Sequence, residues 1–96
     1  MVQPSSREVK RDIRPLENQG EIIDRLEPVS FAYNDDPAER KRFGLIYEDA
    51  VQVLPEICTG NEKNKGINYV DMVPVLLKEI QDLRKRVRAL EERAEG

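Results

Sequence analysis

From Val73 onward the apolar residues step by alternating threes and fours: Val73, Leu76, Ile80, Leu83, Val87, Leu90 and Ala94. Only a helix gathers such positions onto one narrow stripe, and a strict stripe of this kind argues for a coiled coil rather than a surface helix. With Val73, Ile80, Val87 and Ala94 at heptad position a, Leu76, Leu83 and Leu90 fall at d. In a parallel assembly Glu79 at g then faces Arg84 at e of a neighbour, and Arg86 at g faces Glu91 at e. Both pairs have opposite sign, so parallel, in-register association is predicted. Each exposed pair contributes only about 0.2–1 kcal/mol, so they set register more than stability. Pro74 lies in the first helical turn, where it is tolerated. Leu77, at e, is expected to pack on the rest of the chain. Ile or Val at a with Leu at d by itself favours a dimer, although the packing of attached globules can overrule a weak coil. The alternative is a single amphipathic helix docked on its own domain.

The remaining residues divide at two composition shifts. Residues 1–15 are polar and extended in character, punctuated by Pro4 and Pro15. Residues 16–70 mix short apolar runs with turn signals, and residues 71–96 form the periodic segment. Within the middle part, Asn18 with Glu21 resembles a capping box. It precedes Ile22, Ile23 and Leu26 at helical spacing, and Pro28 ends that run. Val29, Phe31 and Tyr33 alternate with smaller residues and read as a strand. Asn34 to Pro37 is a turn, and Phe43 to Tyr47 reads as a second strand. Glu48 and Asp49 suit the start of a short helix with Val51 and Leu54 buried and Pro55 as its stop. Ile57 lies in a short strand, residues 59–66 form a hairpin loop, and Ile67 and Tyr69 return to extended chain. The predicted fold class is α+β: a small mixed helix/strand globule followed by a long helix.

With 96 residues, the chain holds one small domain, or a smaller globule with an appendage. It has 16 basic and 19 acidic side chains and a net charge of −3. It therefore lacks the positive field that nucleic-acid phosphates require, and no nucleic-acid partner is expected. The absence of His excludes Ser-His-Asp and Cys-His triads and His-based metal sites within the chain. One Cys, Cys58, excludes an internal disulfide and a thiolate zinc cluster; it reads as a small buried apolar residue. No metal or cofactor is expected. No apolar run approaches 18 residues and Met1 to Arg11 carries no signal-peptide core, so the expectation is a soluble chain made in a cytoplasm, with no membrane partner.

Ser5, Ser6 and Lys10 are the residues that could carry chemistry. Without His, an activated Ser needs another base, and a Lys can serve when desolvation or a nearby cation makes it neutral near pH 7. A separation of five puts Ser5 and Lys10 on opposite faces of a strand and poorly matched sides of a helix. They meet only across a turn or from two chains. Ser6 and Lys10, four apart, would meet on a helix.

The segment from Ser5 through Lys10 to Ile13 resembles the Ser-Asp-x-x-x-Lys-x-x-Ile opening of the intramolecular chaperone, or peptidase S74, domain found at the C-termini of phage tailspikes, tail fibres, neck appendages and endosialidases. Pro28-Val29-Ser30-Phe31-Ala32-Tyr33 is similar to that family's Pro-Val-x-Phe-x-Tyr strand. Gly44-Leu45-Ile46, then Val51 and Leu54-Pro55-Glu56, is similar to its Gly-x-Ile-Ala-Gln-Glu-Val…Leu-Pro-Glu run. Tyr69 leading into a helix that becomes a coiled coil resembles its ending. The likeness runs over roughly residues 5–93, with four motifs in order.

The resemblance implies a homotrimer that helps an upstream tail or appendage passenger to fold in register and then cuts itself off. It implies a self-cleaving, single-turnover serine endopeptidase with Ser5 as nucleophile, Lys10 as general base and Pro4–Ser5 as scissile bond. It also implies action in the host cytoplasm during phage assembly, transiently as part of the virion tail protein. Ser6 departs from the family pattern, which has Asp there, and Tyr47-Glu48-Asp49 replaces Ala-Gln-Glu. Only Met1 to Pro4 precede Ser5, so a fragment or a separately translated chaperone is expected, uncut at that bond. The alternatives are a trimerisation module without proteolysis, the oligomerisation domain of a self-cleaving membrane-bound transcription factor, and a coiled-coil adaptor.

Overall fold

A computed structural model describes residues 2–95; Met1 and Gly96, which open the first and close the last segment of the sequence-based division, lie outside the described residues. After a 3-10 turn at Arg7–Val9, the chain forms α1 (Gly20–Ile23), β1 (Val29–Phe31), β2 (Arg42–Gly44) and α2 (Tyr47–Val53). A 3-10 turn at Pro55–Ile57, β3 (Cys58–Thr59), β4 (Gly66–Ile67) and another 3-10 turn at Tyr69–Asp71 lead into α3 (Met72–Glu95). Small sheets and a long terminal helix make the fold α+β.

β1 and β2 pair antiparallel, with Val29 opposite Gly44 and Phe31 opposite Arg42. The alternation is visible in burial: Val29 and Phe31 are half-buried and Ser30 is exposed. The connection is closed by Asp36, whose carboxylate accepts the backbone N–H of Ala38 and of Arg40 and the Arg40 Nε–H. The second strand is shorter than Phe43–Tyr47, because Tyr47 already starts α2. Glu48 and Asp49 occupy the first turn of α2, where carboxylates meet the positive end of the helix. Pro55 both follows α2 and opens the next 3-10 turn, so Ile57 sits in that turn and not in a strand. β3 and β4 form the short hairpin around residues 60–65. Gly60 has φ +99°, and a Cβ there would collide with the Asn64 carbonyl oxygen, so only glycine closes this hairpin.

Among the described residues the buried core is Ala50, Leu54, Ile57 and Val75. α2 and the following turn supply three of these, and α3 supplies the fourth. Ala50, not Val51, is the fully buried residue of α2. Val75 is at heptad position c, so the globule docks on the side of α3 and leaves the a/d stripe uncovered. Val73, Leu76, Ile80, Leu83, Val87 and Leu90 are all exposed in the single chain, Leu90 by 62%, and Ala94 is exposed as well. Leu77 does not pack on the globule as expected; it is 54% exposed, because the globule occupies the c and g flank while e lies on the other.

A second tie fixes α3. Asn18 Nδ2 donates to Glu79 Oε2 and to Asp82 Oδ2, both at 2.7 Å. Asn18 Oδ1 accepts the Gly20 N–H at 2.7 Å. Asn18 thus caps α1 from one residue before the formal cap, Gln19, with Glu21 taking no reciprocal part. A Cβ on Gly20 would lie 2.8 Å from Asn18 Oδ1 and 3.0 Å from Glu79 Oε2, so a side chain there would push these two polar ends aside.

Candidate functional site

The N-terminal segment contains one short regular element, the 3-10 turn Arg7–Val9, and it is local chemistry that makes it. Ser6 is its N-cap in extended backbone conformation, and its Oγ accepts the Glu8 N–H at 3.2 Å. This is the arrangement that short hydroxyl or carboxylate side chains supply at helix starts. The Val9 N–H donates to the Ser6 carbonyl at 3.1 Å and the Lys10 N–H to the Arg7 carbonyl at 3.3 Å. Lys10 then leaves the turn extended, and Asp12, at φ 55°, bends the chain through the left-handed region that Asp tolerates better than most residues.

This turn folds the five-residue separation back on itself. Lys10 Nζ donates to Ser5 Oγ at 2.8 Å. Of the two ways in which these residues can meet, the single chain uses the turn. Ser6 does not meet Lys10; it is occupied with the cap. Pro4, Ser5, Ser6 and Lys10 are all exposed. A serine hydroxyl at hydrogen-bond distance from a lysine amine has the reach required of a nucleophile and its general base. Ser5 Oγ is also tethered next to the carbonyl of Pro4, the residue before it.

The rest of the surface offers other chemistry only weakly. Cys58 is half-buried, and burial pushes its thiol up, consistent with a small packed residue and not a reactive thiolate. No group of three or more metal-ligating side chains occurs among the described residues. No helix there is long and apolar enough to cross a membrane. The feature that sequence reasoning missed is an apolar groove between the globule and the start of α3, lined by Ile23, Leu26, Phe43, Tyr69, Met72 and Leu76 among others. Its residues come from three separate stretches of the chain, 23–28, 43–45 and 69–76, and no single-segment periodicity announces it.

No curated protein matches this chain. A family model does: Peptidase S74, chaperone of endosialidase, matches residues 5–59. The match opens on Ser5, takes in the Ser5–Lys10 turn, the β1–β2 pair and α2, and closes at the end of β3. With more than half of its residues in that match and the Ser-Lys pair at its head, the chain belongs to the peptidase S74 family.

Proposed function

We propose that the chain is an intramolecular chaperone that trimerises an upstream tail or appendage protein and then releases itself by cleaving the Pro4–Ser5 bond. The observation that carries this reading is the 2.8 Å contact between Lys10 Nζ and Ser5 Oγ at the first residues of the family match. Residues 1–15 carry the cleavage motif, 16–70 the chaperone core and 71–96 the trimerisation helix. The work takes place in the host cytoplasm while phage particles assemble.

In the cleavage, a neutral Lys10 amine takes the Ser5 hydroxyl proton as Oγ attacks the Pro4 carbonyl carbon. The tetrahedral intermediate collapses with breakage of the Pro4–Ser5 C–N bond, and Lys10 returns the proton to the Ser5 nitrogen. The ester left between Pro4 and Ser5 Oγ is then hydrolysed by water to a Pro4 carboxylate and a free Ser5 hydroxyl. The step needs Lys10 unprotonated, which desolvation favours. Ser5 and Lys10 are exposed in a single chain, so cover from a neighbouring copy or from the passenger supplies that desolvation, and cleavage then reports completed assembly.

The chaperone logic follows from the exposed seam of α3. Three parallel helices clamp three passenger ends, raise their effective concentration and fix their register. Long-range β pairing, slow because loop closure must come first, is thereby nucleated. Removing the clamp afterwards leaves the passenger trapped by its own unfolding barrier. The test is intact-mass analysis of the domain behind a trimeric passenger, beside Ser5→Ala and Lys10→Ala. The reading requires cleavage at Pro4–Ser5 in the unaltered protein alone. A fusion that trimerises yet stays whole would make this a clamp without protease activity.

A further inference from the structure

The groove beside α3 lies on one flank of the seam, and an uncovered apolar residue lies on the other. Val75 at c is buried, and Asn18 holds Glu79 at g and Asp82 at c, so the globule occupies the c/g side. On that side the groove, about 450 Å³ in volume, includes Met72 at g together with Val73 and Leu76, the first a and d residues of the seam. Its outer wall is Phe43, 77% exposed, with Ile23 and Leu26 beneath. On the e side stands Leu77, apolar and 54% exposed, where the later e residues are Arg84 and Glu91.

In a parallel, in-register assembly each g residue faces the e residue five positions later on the next helix. Applied along α3, the rule pairs Met72 with Leu77, Glu79 with Arg84 and Arg86 with Glu91. One apolar pair and two opposite-charge pairs follow in succession, so the whole g/e edge is complementary in a single register. We propose that Leu77 of one copy seats in the Ile23–Leu26–Phe43–Met72 groove of the next copy. The occupant is thus a second copy of this chain, and the groove is continuous with the seam already formed by Val73 and Leu76. The contact joins the globule of one copy to the helix of its neighbour, so zipping of the helices also orients the globules and their N-terminal turns. This inference rests on the parallel assembly under the proposed function and adds the residue and groove that couple helix to globule.

Two tagged forms of the full chain test it, each with Cys58→Ala, one bearing Leu77→Cys and the other Phe43→Cys. They are refolded together and treated with a short thiol–thiol cross-linker, with assembly followed by sedimentation. Thiols held in one assembly sit at roughly millimolar effective concentration, so a doubly tagged adduct on the order of tenfold above background is expected. The background is set by Lys85→Cys, on the outer f face of α3, paired with the same Phe43→Cys form. Assembly without an excess of the Leu77–Phe43 adduct overturns the groove contact while leaving the proposed function standing. Absence of assembly in the unaltered chain, sedimented alongside, overturns both.

Discussion

The Tyr69 hydroxyl accepts the backbone N–H of Leu45 at 2.9 Å, tying the entry of α3 to the end of β2. A Cβ on Gly44 would lie 2.5 Å from that same hydroxyl oxygen and 3.2 Å from the Phe31 ring. Gly44 therefore makes room for the contact, and Tyr69 closes it. Tyr69→Phe, which removes only the oxygen, should cost about 1 kcal/mol by loss of one hydrogen bond. Gly44→Ala should cost more, about 1–3 kcal/mol, because Tyr69 must be displaced. In Gly44→Ala combined with Tyr69→Phe the two losses should fall short of their sum. Thermal unfolding of the four proteins tests this; full additivity would mean that the two residues act independently.

α3 was legible because seven apolar positions repeat one spacing over three heptads, a signal that no other arrangement of the chain satisfies. The face on which it docks was not legible. Val75 at c carries no periodic mark, and Asn18 reaches Glu79 and Asp82 across 61 and 64 residues, a pairing that spacing does not encode. Leu77 differs from expectation for the same reason: heptad position e does not say which flank of α3 the globule covers, and the globule uses c and g. At the candidate site the residue types are legible in the sequence, but a separation of five is compatible both with a turn and with a meeting of two chains. The deciding element is the cap made by Ser6, three residues long and too short for any periodicity to announce.

That cap yields a prediction on cleavage. Ser6 stands where the resemblance has Asp, and both side chains can accept the Glu8 N–H. Ser6→Ala removes the acceptor and loosens the turn that brings Lys10 to Ser5. A lost cap is worth about 1 kcal/mol, which corresponds to roughly a fivefold fall in the rate of self-cleavage. Ser6→Asp keeps the acceptor and should retain the rate. Time courses of the fusion protein read by mass measure both. Equal slowing by Ala and Asp would mean that the cap is not what matters at this position.

The Asn18 tie to α3 has a pH signature. Hydrogen bonds from Asn18, and then from Lys78, hold the Asp82 carboxyl below the usual carboxylate range. A group with a lowered pKa in the folded state contributes its stability above its unfolded pKa and loses it as pH falls through the folded value. The Asn18 contact should therefore weaken on acidification below about pH 4, and not on going from neutral to alkaline pH. Asn18→Ala should return the Asp82 titration toward its ordinary value and flatten this acid dependence. Carboxyl-carbon NMR titration follows the residue directly; an Asp82 midpoint unmoved by Asn18→Ala would remove Asn18 as the cause.

The exposed stripe and the small core make opposite predictions for two leucines. Leu54 is 3% exposed and belongs to the core of the single chain, so Leu54→Ala should cost about 2–5 kcal/mol. With so few buried side chains, that is enough to unfold the globule whatever its oligomeric state. Leu83, at d, is 44% exposed in the single chain, and association along the proposed seam would bury it. Leu83→Asp should leave the β1–β2 and α2 region folded but abolish association, since a carboxylate in each helix would meet its like at the centre of the seam. Sedimentation should show monomers for Leu83→Asp. Circular dichroism should show loss of helix, because α3 beyond the globule has little of its own chain to rest on. If Leu83→Asp associates like the unaltered protein, the a/d stripe is not the surface that brings copies together.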